Sequence, residues 1–309
     1  MSEEWDRELA SVGGHPLQST LWGNARRKVD GISQILLEYR TENGEVTGLA
    51  RIEVRTVSFL VKIAWVPKGP VLPQDETGIA EDSLRAELKR RGFIICITDR
   101  YDISKIPHLK SPKTIWLDLS CGVDTLLKGF DSQWRYGAKR AQREGVIVRI
   151  TTKPTEIAAF FRLCKDLSVN KGFSLPGSEA LLLELVRSSV PDGEVGMSLY
   201  VGEVGEAIAG GAVVARSGKN LHYMWGASDR RFSKYRVSEA IQWQIIQDGV
   251  TASMKRYDLE GIDPVGNPGV YQFKLKMGGT EVALQGIHVL PFSWVGRAAV
   301  GVGRRLGIF

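Results

Sequence analysis

Cysteine and histidine are scarce in this 309-residue chain, with three of the first and four of the second. Cys96, Cys121 and Cys164 form no CxxC pair, and their odd number speaks against a disulfide framework. Cys96 lies within the apolar run Phe93-Ile94-Ile95-Cys96-Ile97, which suits a small buried side chain. His15, His108, His222 and His288 are scattered, with no HExxH and no metal-ligand spacing. GxSxG and Walker loops are missing as well, so triad and metal catalysis are not expected. No stretch reaches the roughly 18 apolar residues that a membrane span needs. The first residues, with Glu3, Glu4 and Asp6, do not resemble a signal peptide, and a cytosolic protein is expected.

What is present is the composition of a globular protein, 43% hydrophobic and 25% charged, with a formal net charge of +6. That charge suits an anionic partner: nucleic acid, phosphorylated substrate or membrane surface. The length suits one large domain or two ordinary ones.

Residues 17 to 30 read as a helix capped by Ser19 or Thr20. The runs Ile35 to Tyr39 and Gly48 to Val54 flank Asn43-Gly44, a hairpin signal. Phe59 to Val66, Phe93 to Thr98 and Thr114 to Leu119 read as strands, with a helix over 78 to 91. One charged helix is expected over 122 to 144, carrying Lys128, Arg135, Lys139, Arg140 and Arg143. Arg135/Lys139 and Lys139/Arg143 have i, i+4 spacing, so the helix offers a cationic face for phosphates. Strands then follow at 146–151, 197–203, 207–216, 221–226, 255–260 and 281–290, with helices at 155–170, 178–189 and 235–249. Both halves run helix, hairpin, strand, helix, strand. The expected fold class is therefore α+β in two related domains, 1–120 and 121–290, with a basic amphipathic tail over 291–309. In that tail Trp294, Val295, Val300, Leu306 and Ile308 alternate with Arg297, Arg304 and Arg305. The mix fits a helix lying on a membrane surface and equally one packed on the protein body, and packing is the preferred reading.

The most informative stretch is Tyr257-Asp258-Leu259-Glu260-Gly261-Ile262, a turn-rich bridge over Asp263 to Gly269, then Tyr271-Gln272-Phe273-Lys274. The density of Gly and Pro in the bridge argues against regular structure there. A strand that stops, a loop and a lysine at the next element make a ligand-binding corner. With nucleophile and metal motifs missing, the chemistry left is alignment of reactants and charge stabilisation, with Lys274 at a developing oxyanion or a phosphate.

Several blocks together resemble the Fem-type (FemABX) aminoacyltransferases. They are Gln18-Ser19-Thr20-Leu21-Trp22, Lys68-Gly69-Pro70, Leu117-Asp118-Leu119 with the basic helix, His222 to Ser228, Tyr257 to Ile262, and Phe273-Lys274 with Gly278-Gly279. The resemblance implies two tandem acetyltransferase-like (GNAT) domains with a cleft at their junction. It implies transfer of an amino acid from aminoacyl-tRNA to an amine of a peptide or a peptidoglycan precursor, soluble or lipid-linked. Aminoacyl-tRNA is then the co-substrate, and no cofactor is expected. Carried onto this sequence, the Phe-Lys pair of the family is Phe273 and Lys274, the lysine meeting the acyl donor or the tetrahedral intermediate. The aromatic pair is Tyr223 and Trp225, and the lysine that contacts a nucleotide-linked acceptor is Lys28. Asp258 and Tyr271 are further candidate substrate contacts. Two departures stand out: Lys171-Gly172-Phe173-Ser174-Leu175-Pro176 has no arginine where some members place one, and a long helical-hairpin insertion is missing. An acyl-CoA enzyme of the same fold is the rival. Its glycine-rich pyrophosphate loop is replaced here by Arg231-Phe232-Ser233-Lys234-Tyr235-Arg236-Val237, which disfavours it. A non-catalytic RNA-binding or membrane-binding module is the other alternative.

Overall fold

The computed structural model describes residues 2–57, 61–72, 78–103 and 111–305. Phe59, His108, Leu306 and Ile308, named above, lie outside the described residues. The chain forms two compact units, one of residues 1–112 with 283–309 and one of 113–282.

The first unit opens with α1 (Ser2–Ser11) and α2 (Thr20–Asp30). Ser19 caps α2, its Oγ accepting the Trp22 N–H at 3.1 Å, and Gly31 ends the helix in the left-handed region. Then come β1 (Ser33–Arg40), β2 (Val46–Val57), β3 (Val61–Val66), α3 (Ile79–Arg90) and β4 (Phe93–Ile103). β1 and β2 form the hairpin expected at Asn43-Gly44. β3 and β4 are parallel, which requires the crossover that α3 supplies. Leu84 and Leu88 of α3 bury against Ile52, Ala64 and Cys96 of the sheet.

The second unit repeats this plan with more cover. Its elements are β5 (Lys113–Asp118), α4 (Val123–Gly129), α5 (Ser132–Arg143), β6 (Ile147–Thr151), α6 (Pro154–Lys171), α7 (Glu179–Ser188), β7 (Val195–Val204), β8 (Ala207–Ser217), β9 (Asn220–Ser228), α8 (Val237–Thr251), β10 (Arg256–Asp258) and α9 (Pro268–Leu275). The strands lie in the order β5-β10-β9-β8-β7-β6. β9 and β10 are parallel, joined through α8, whose Ile241, Ile245 and Ile246 meet Tyr257, Leu117 and Val214 in the largest core. Gly211 of β8 leaves the space that Phe160 of α6 fills, since a Cβ there would lie 2.5 Å from the ring.

β11 (Thr280–Pro291) then returns to the first unit, pairing antiparallel with β4 from Leu284 on, and α10 (Trp294–Arg305) follows. This return moves the division away from the expected boundaries at 120 and 290. β5 belongs with β10, its antiparallel partner, and β11 supplies a strand to the first sheet.

Two local expectations change. The charged stretch 122–144 is two helices, because Phe130 is extended and the Asp131 side chain caps α5 through the Gln133 N–H at 2.9 Å. Pro268 and Gly269 belong to α9, where Pro occupies the first helical turn, which needs no N–H donor. No helix among the described residues is long and apolar enough to cross a membrane.

Candidate active site around Lys274

β10 stops after three residues because Asp258 turns its carboxylate back on the chain. It is fully buried and accepts from Thr114 Oγ1, from Trp116 Nε1 at 2.8 Å and from the Glu260 N–H at 2.7 Å. These bonds fix Glu260 at a φ of +59°, a left-handed conformation that a non-glycine residue adopts at a cost. The turn exposes two successive carbonyls, of Glu260 and Gly261, to one side. The Lys274 ammonium from α9 donates to both, at 3.1 and 2.8 Å. Lys274 is only 5% exposed, and its Nζ sits 5.6 Å from the centre of the Tyr223 ring.

A lysine this deep in the protein is costly to charge. Burial pushes its pKa down to about 8, against the opposing pull of the Glu260 and Asp258 carboxylates. Lys274 is therefore a cation that gives up its proton far more readily than a free lysine. Such a group can hold a developing oxyanion or carry a proton from an attacking amine to a leaving oxygen. The Glu260 carboxylate meets His222 Nδ1 at 2.8 Å, and His222 is fully buried on β9. Tyr257 is pinned below the site by its hydroxyl, which donates to Gln242 Oε1 at 2.8 Å. Burial pushes the Tyr223 phenol up to about 12, so it is a neutral hydrogen-bonding ring at any ordinary pH.

Phe273, the neighbour of Lys274, turns the other way. It joins Phe130 and Trp134 in an aromatic cluster, its ring centre 6.2 Å from that of Trp134. There it lines a cavity of about 630 Å³ walled by α5, the start of α8, and α9. Trp134 and Tyr136 come from α5, Arg236 from the N-cap of α8 and Glu239 from its first turn, and Gln272 from α9 with Lys276 at its C-cap. The volume lies within the range of small-molecule sites. Lys276 is steered by Gln133 Oε1 at 2.7 Å, and Arg236 pairs with Glu239 at 3.3 Å.

The other sequence candidates divide. A bulge opposite Val213 and Val214 separates Tyr223 from Trp225. Tyr223 meets Lys274 and the core beneath α8, whereas Trp225 lies against Gly177 on the α6–α7 connection. Asp258 is committed to three internal donors and positions the Lys274 turn. Tyr271 donates its hydroxyl to Glu281 at 2.7 Å, on the same helix as Lys274. Lys28 is an exposed residue of α2, in the first unit. On α5, Arg135 is committed to the carbonyls of Lys128 and Phe130 at 2.9 and 2.7 Å, closing the end of α4. Arg140 pairs with Glu144 at 3.5 Å, and Lys139 and Arg143 face solvent. Among the features that sequence reasoning missed are the carbonyl pair, Glu260 with His222, and the Trp134 cavity. Only Glu260 and His222 had a sequence signal, as polar residues within strand-like apolar runs.

The comparisons with known proteins agree with this geometry. Residues 129–275, which include Lys274 and most of the cavity lining, match the family model described as an acetyltransferase (GNAT) domain. No curated protein sequence matches the chain. Among solved structures, FemX superposes with a TM-score of 0.77 at 15% identity, covering 94% of this chain and 96% of FemX. A conserved protein of unknown function from Bacteroides thetaiotaomicron gives a TM-score of 0.55 at 10% identity, covering 92% of this chain and 94% of that one. The C-terminal domain (DUF2156) of a protein assigned as a lysylphosphatidylglycerol synthetase, from Agrobacterium fabrum, gives 0.53 at 13% identity, covering 99% and 97%. The chain thus has the fold of FemX, two tandem acetyltransferase-like units, the second of them carrying the matched acetyltransferase domain.

Proposed function

We propose that the protein is an aminoacyltransferase that moves an amino acid from aminoacyl-tRNA to an amine of a peptide or peptidoglycan precursor. The observation that carries this reading is Lys274, a buried amine held by the Glu260 and Gly261 carbonyls, whose chain neighbour Phe273 lines a cavity on the other side of the same helix. It is supported by the FemX fold. The acceptor amine attacks the ester carbonyl of the charged tRNA, forming a C–N bond. The tetrahedral intermediate collapses by breaking the bond to the ribose oxygen, which leaves with a proton. Lys274 stands as the charge that meets the oxyanion. Alignment of the two substrates supplies up to about 7–11 kcal/mol in favourable cases, and one oxyanion donor about 3–4. No redox or metal chemistry is called for by this reaction. The test is incubation with a mixed pool of charged tRNAs and candidate acceptor amines, with mass spectrometry of the products. An amide product dependent on the charged tRNA is expected, and its absence with every donor and acceptor would defeat the proposal.

A second reading, acyl-CoA as donor, has one observation in its favour. The N-terminus of α8 has no side-chain cap, leaving backbone N–H groups of the kind that hold a pyrophosphate. Saturable turnover of acetyl-CoA would select it.

We further propose a lipid-linked acceptor, with α10 touching the membrane surface. α10 turns its small residues inward: Gly296, Val300 and Gly303 are buried, and a Cβ on Gly296 would lie 2.2 Å from the Ile94 carbonyl. Its large apolar residues face out, with Trp294 75% exposed alongside Val295, Val302, Arg297 and Arg305. An outward face of Trp, Val and Arg suits an interfacial helix. Sedimentation with anionic liposomes is expected for the full chain and not for one ending at Leu290. Binding that survives the truncation would acquit the helix.

A further inference from the structure

The segment after β9 is left without a role by the chemistry above, although it holds the densest run of cations and aromatics in the chain. Residues Arg230–Tyr235 form a 3-10 turn capped by Asp229, whose Oδ1 accepts the Arg231 N–H at 2.9 Å. Four cations, Arg230, Arg231, Lys234 and Arg236, stand within seven positions, and the Arg231 side chain is 83% exposed. Two aromatic rings are interleaved with them. Phe232 and Tyr235 lie 6.1 Å apart, each resting one side on the core. Their other sides carry cations: Arg231 stands 5.9 Å from the centre of the Phe232 ring, and Lys234 4.9 Å from that of Tyr235. A turn that served solubility alone would have no use for two rings held at its surface.

The same turn runs into the cavity beside Phe273, because Arg236 lines that cavity. Trp134, which lines it as well, is 3% exposed, and its indole N–H has no acceptor among the described residues. A buried donor without a partner is costly, and a ligand acceptor would relieve it. Opposite, on α5, Tyr136 is 53% exposed with Arg143 over its ring at 5.8 Å. Arg231 and Arg236 are each paired with a carboxylate, Asp229 at 2.6 Å and Glu239 at 3.3 Å. Anchored rings bordered by cations are what unpaired nucleotides require: the rings stack on bases of any identity, and the cations neutralise successive phosphates. Duplex RNA offers no free base faces to such rings.

We propose that the Arg230–Arg236 turn is a stacking seat for the unpaired 3′ end of a tRNA, leading the terminal nucleotide into the Trp134–Phe273 cavity. This rests on the aminoacyl-tRNA reading above and assigns the part of that donor which this chain grips. Bases of the single-stranded end lie on Phe232 and Tyr235. Arg231, Lys234 and Arg236 meet its phosphates, and the Trp134 N–H donates inside the cavity.

The test is binding of two fluorescent acceptor-stem minihelices to the full chain, one with a single-stranded ACCA 3′ end and one blunt. Wild type is expected to bind the overhang form about tenfold or more tightly than the blunt form, as stacking of even one base would give. Phe232→Leu and Tyr235→Leu keep an apolar side chain on the core and remove the stacking face. They are expected to erase that preference while leaving blunt binding unchanged. Lys234→Ala, at an exposed position, keeps the fold in any case. It is expected to flatten the salt dependence by about 0.7 in log–log slope for one lost phosphate contact. If wild type prefers the overhang and all three variants keep both preference and slope, the seat is elsewhere, although the tRNA reading stands. If wild type binds neither RNA, the tRNA reading falls and takes this inference with it. Displacement of the RNA by acetyl-CoA, lost in the same variants, would make the turn a coenzyme site and overturn the inference.

Discussion

Replacing Lys274 by methionine removes a charge that the fold holds at a cost, and the size of that cost follows from the site. The amine is 5% exposed, and burial takes its pKa from 10.5 to about 8. The unfolded chain therefore holds the proton more tightly than the folded one. Between pH 8 and 10.5 the unfolded state binds more protons, so the stability of the wild type rises with pH across that window. Below about pH 8 the penalty is complete, and at roughly 1.36 kcal/mol per unit it amounts to about 3 kcal/mol. Methionine also abandons the Glu260 and Gly261 carbonyls, each left bare at a cost of about 1–3 kcal/mol, but that loss does not vary with pH. Urea unfolding of both proteins at pH 7 and pH 10, followed by tryptophan fluorescence, separates the two effects. Relative to the variant, the wild type is expected to gain about 2–3 kcal/mol on going from pH 7 to pH 10. A difference between the two proteins that stays constant with pH would refute the depressed pKa, and with it the burial argument.

Glu260→Gln removes the carboxylate that does more to raise the Lys274 pKa, while keeping a polar partner for His222. The limb of the pH–rate profile that reports Lys274 should move to lower pH, and a limb that stays or rises would contradict the assignment. Arg135→Ala should lower the melting temperature, because two carbonyls at the end of α4 lose their donor. Lys139→Ala should leave stability alone and reduce the salt dependence of RNA binding. Equal effects of the two on both measurements would erase the distinction between a capping arginine and a phosphate contact.

The residues that could be read in advance are those whose signal is local. The Asn43-Gly44 hairpin, the Ser19 cap and the i, i+4 leucines of α3 each depend on neighbours in sequence, and each occurs where the pattern requires. Lys274 and Phe273 stood out by their place after the turn-rich bridge. What was not legible depends on partners far along the chain. The bond between Asp258 and Thr114 spans 144 positions, and nothing in Tyr257 to Ile262 reveals that Glu260 is forced to a positive φ. The return of β11 to β4 is another such pairing, which is why the division of the chain differs from the expected one. The bulge in β9 is set by its register with β8, and an i, i+2 spacing alone puts Tyr223 and Trp225 on one face. Arg135 shares the cationic spacing of its helix, yet the break at Phe130-Asp131 turns it to the α4 carbonyls.

The measurement that bears most directly on the account is single-turnover amide formation from charged tRNA, comparing wild type with the folded Lys274→Met variant. Loss of the one charge contact at the oxyanion is expected to slow the transfer a hundredfold or more, corresponding to about 3 kcal/mol. Transfer at near the wild-type rate by a well-folded variant would contradict it.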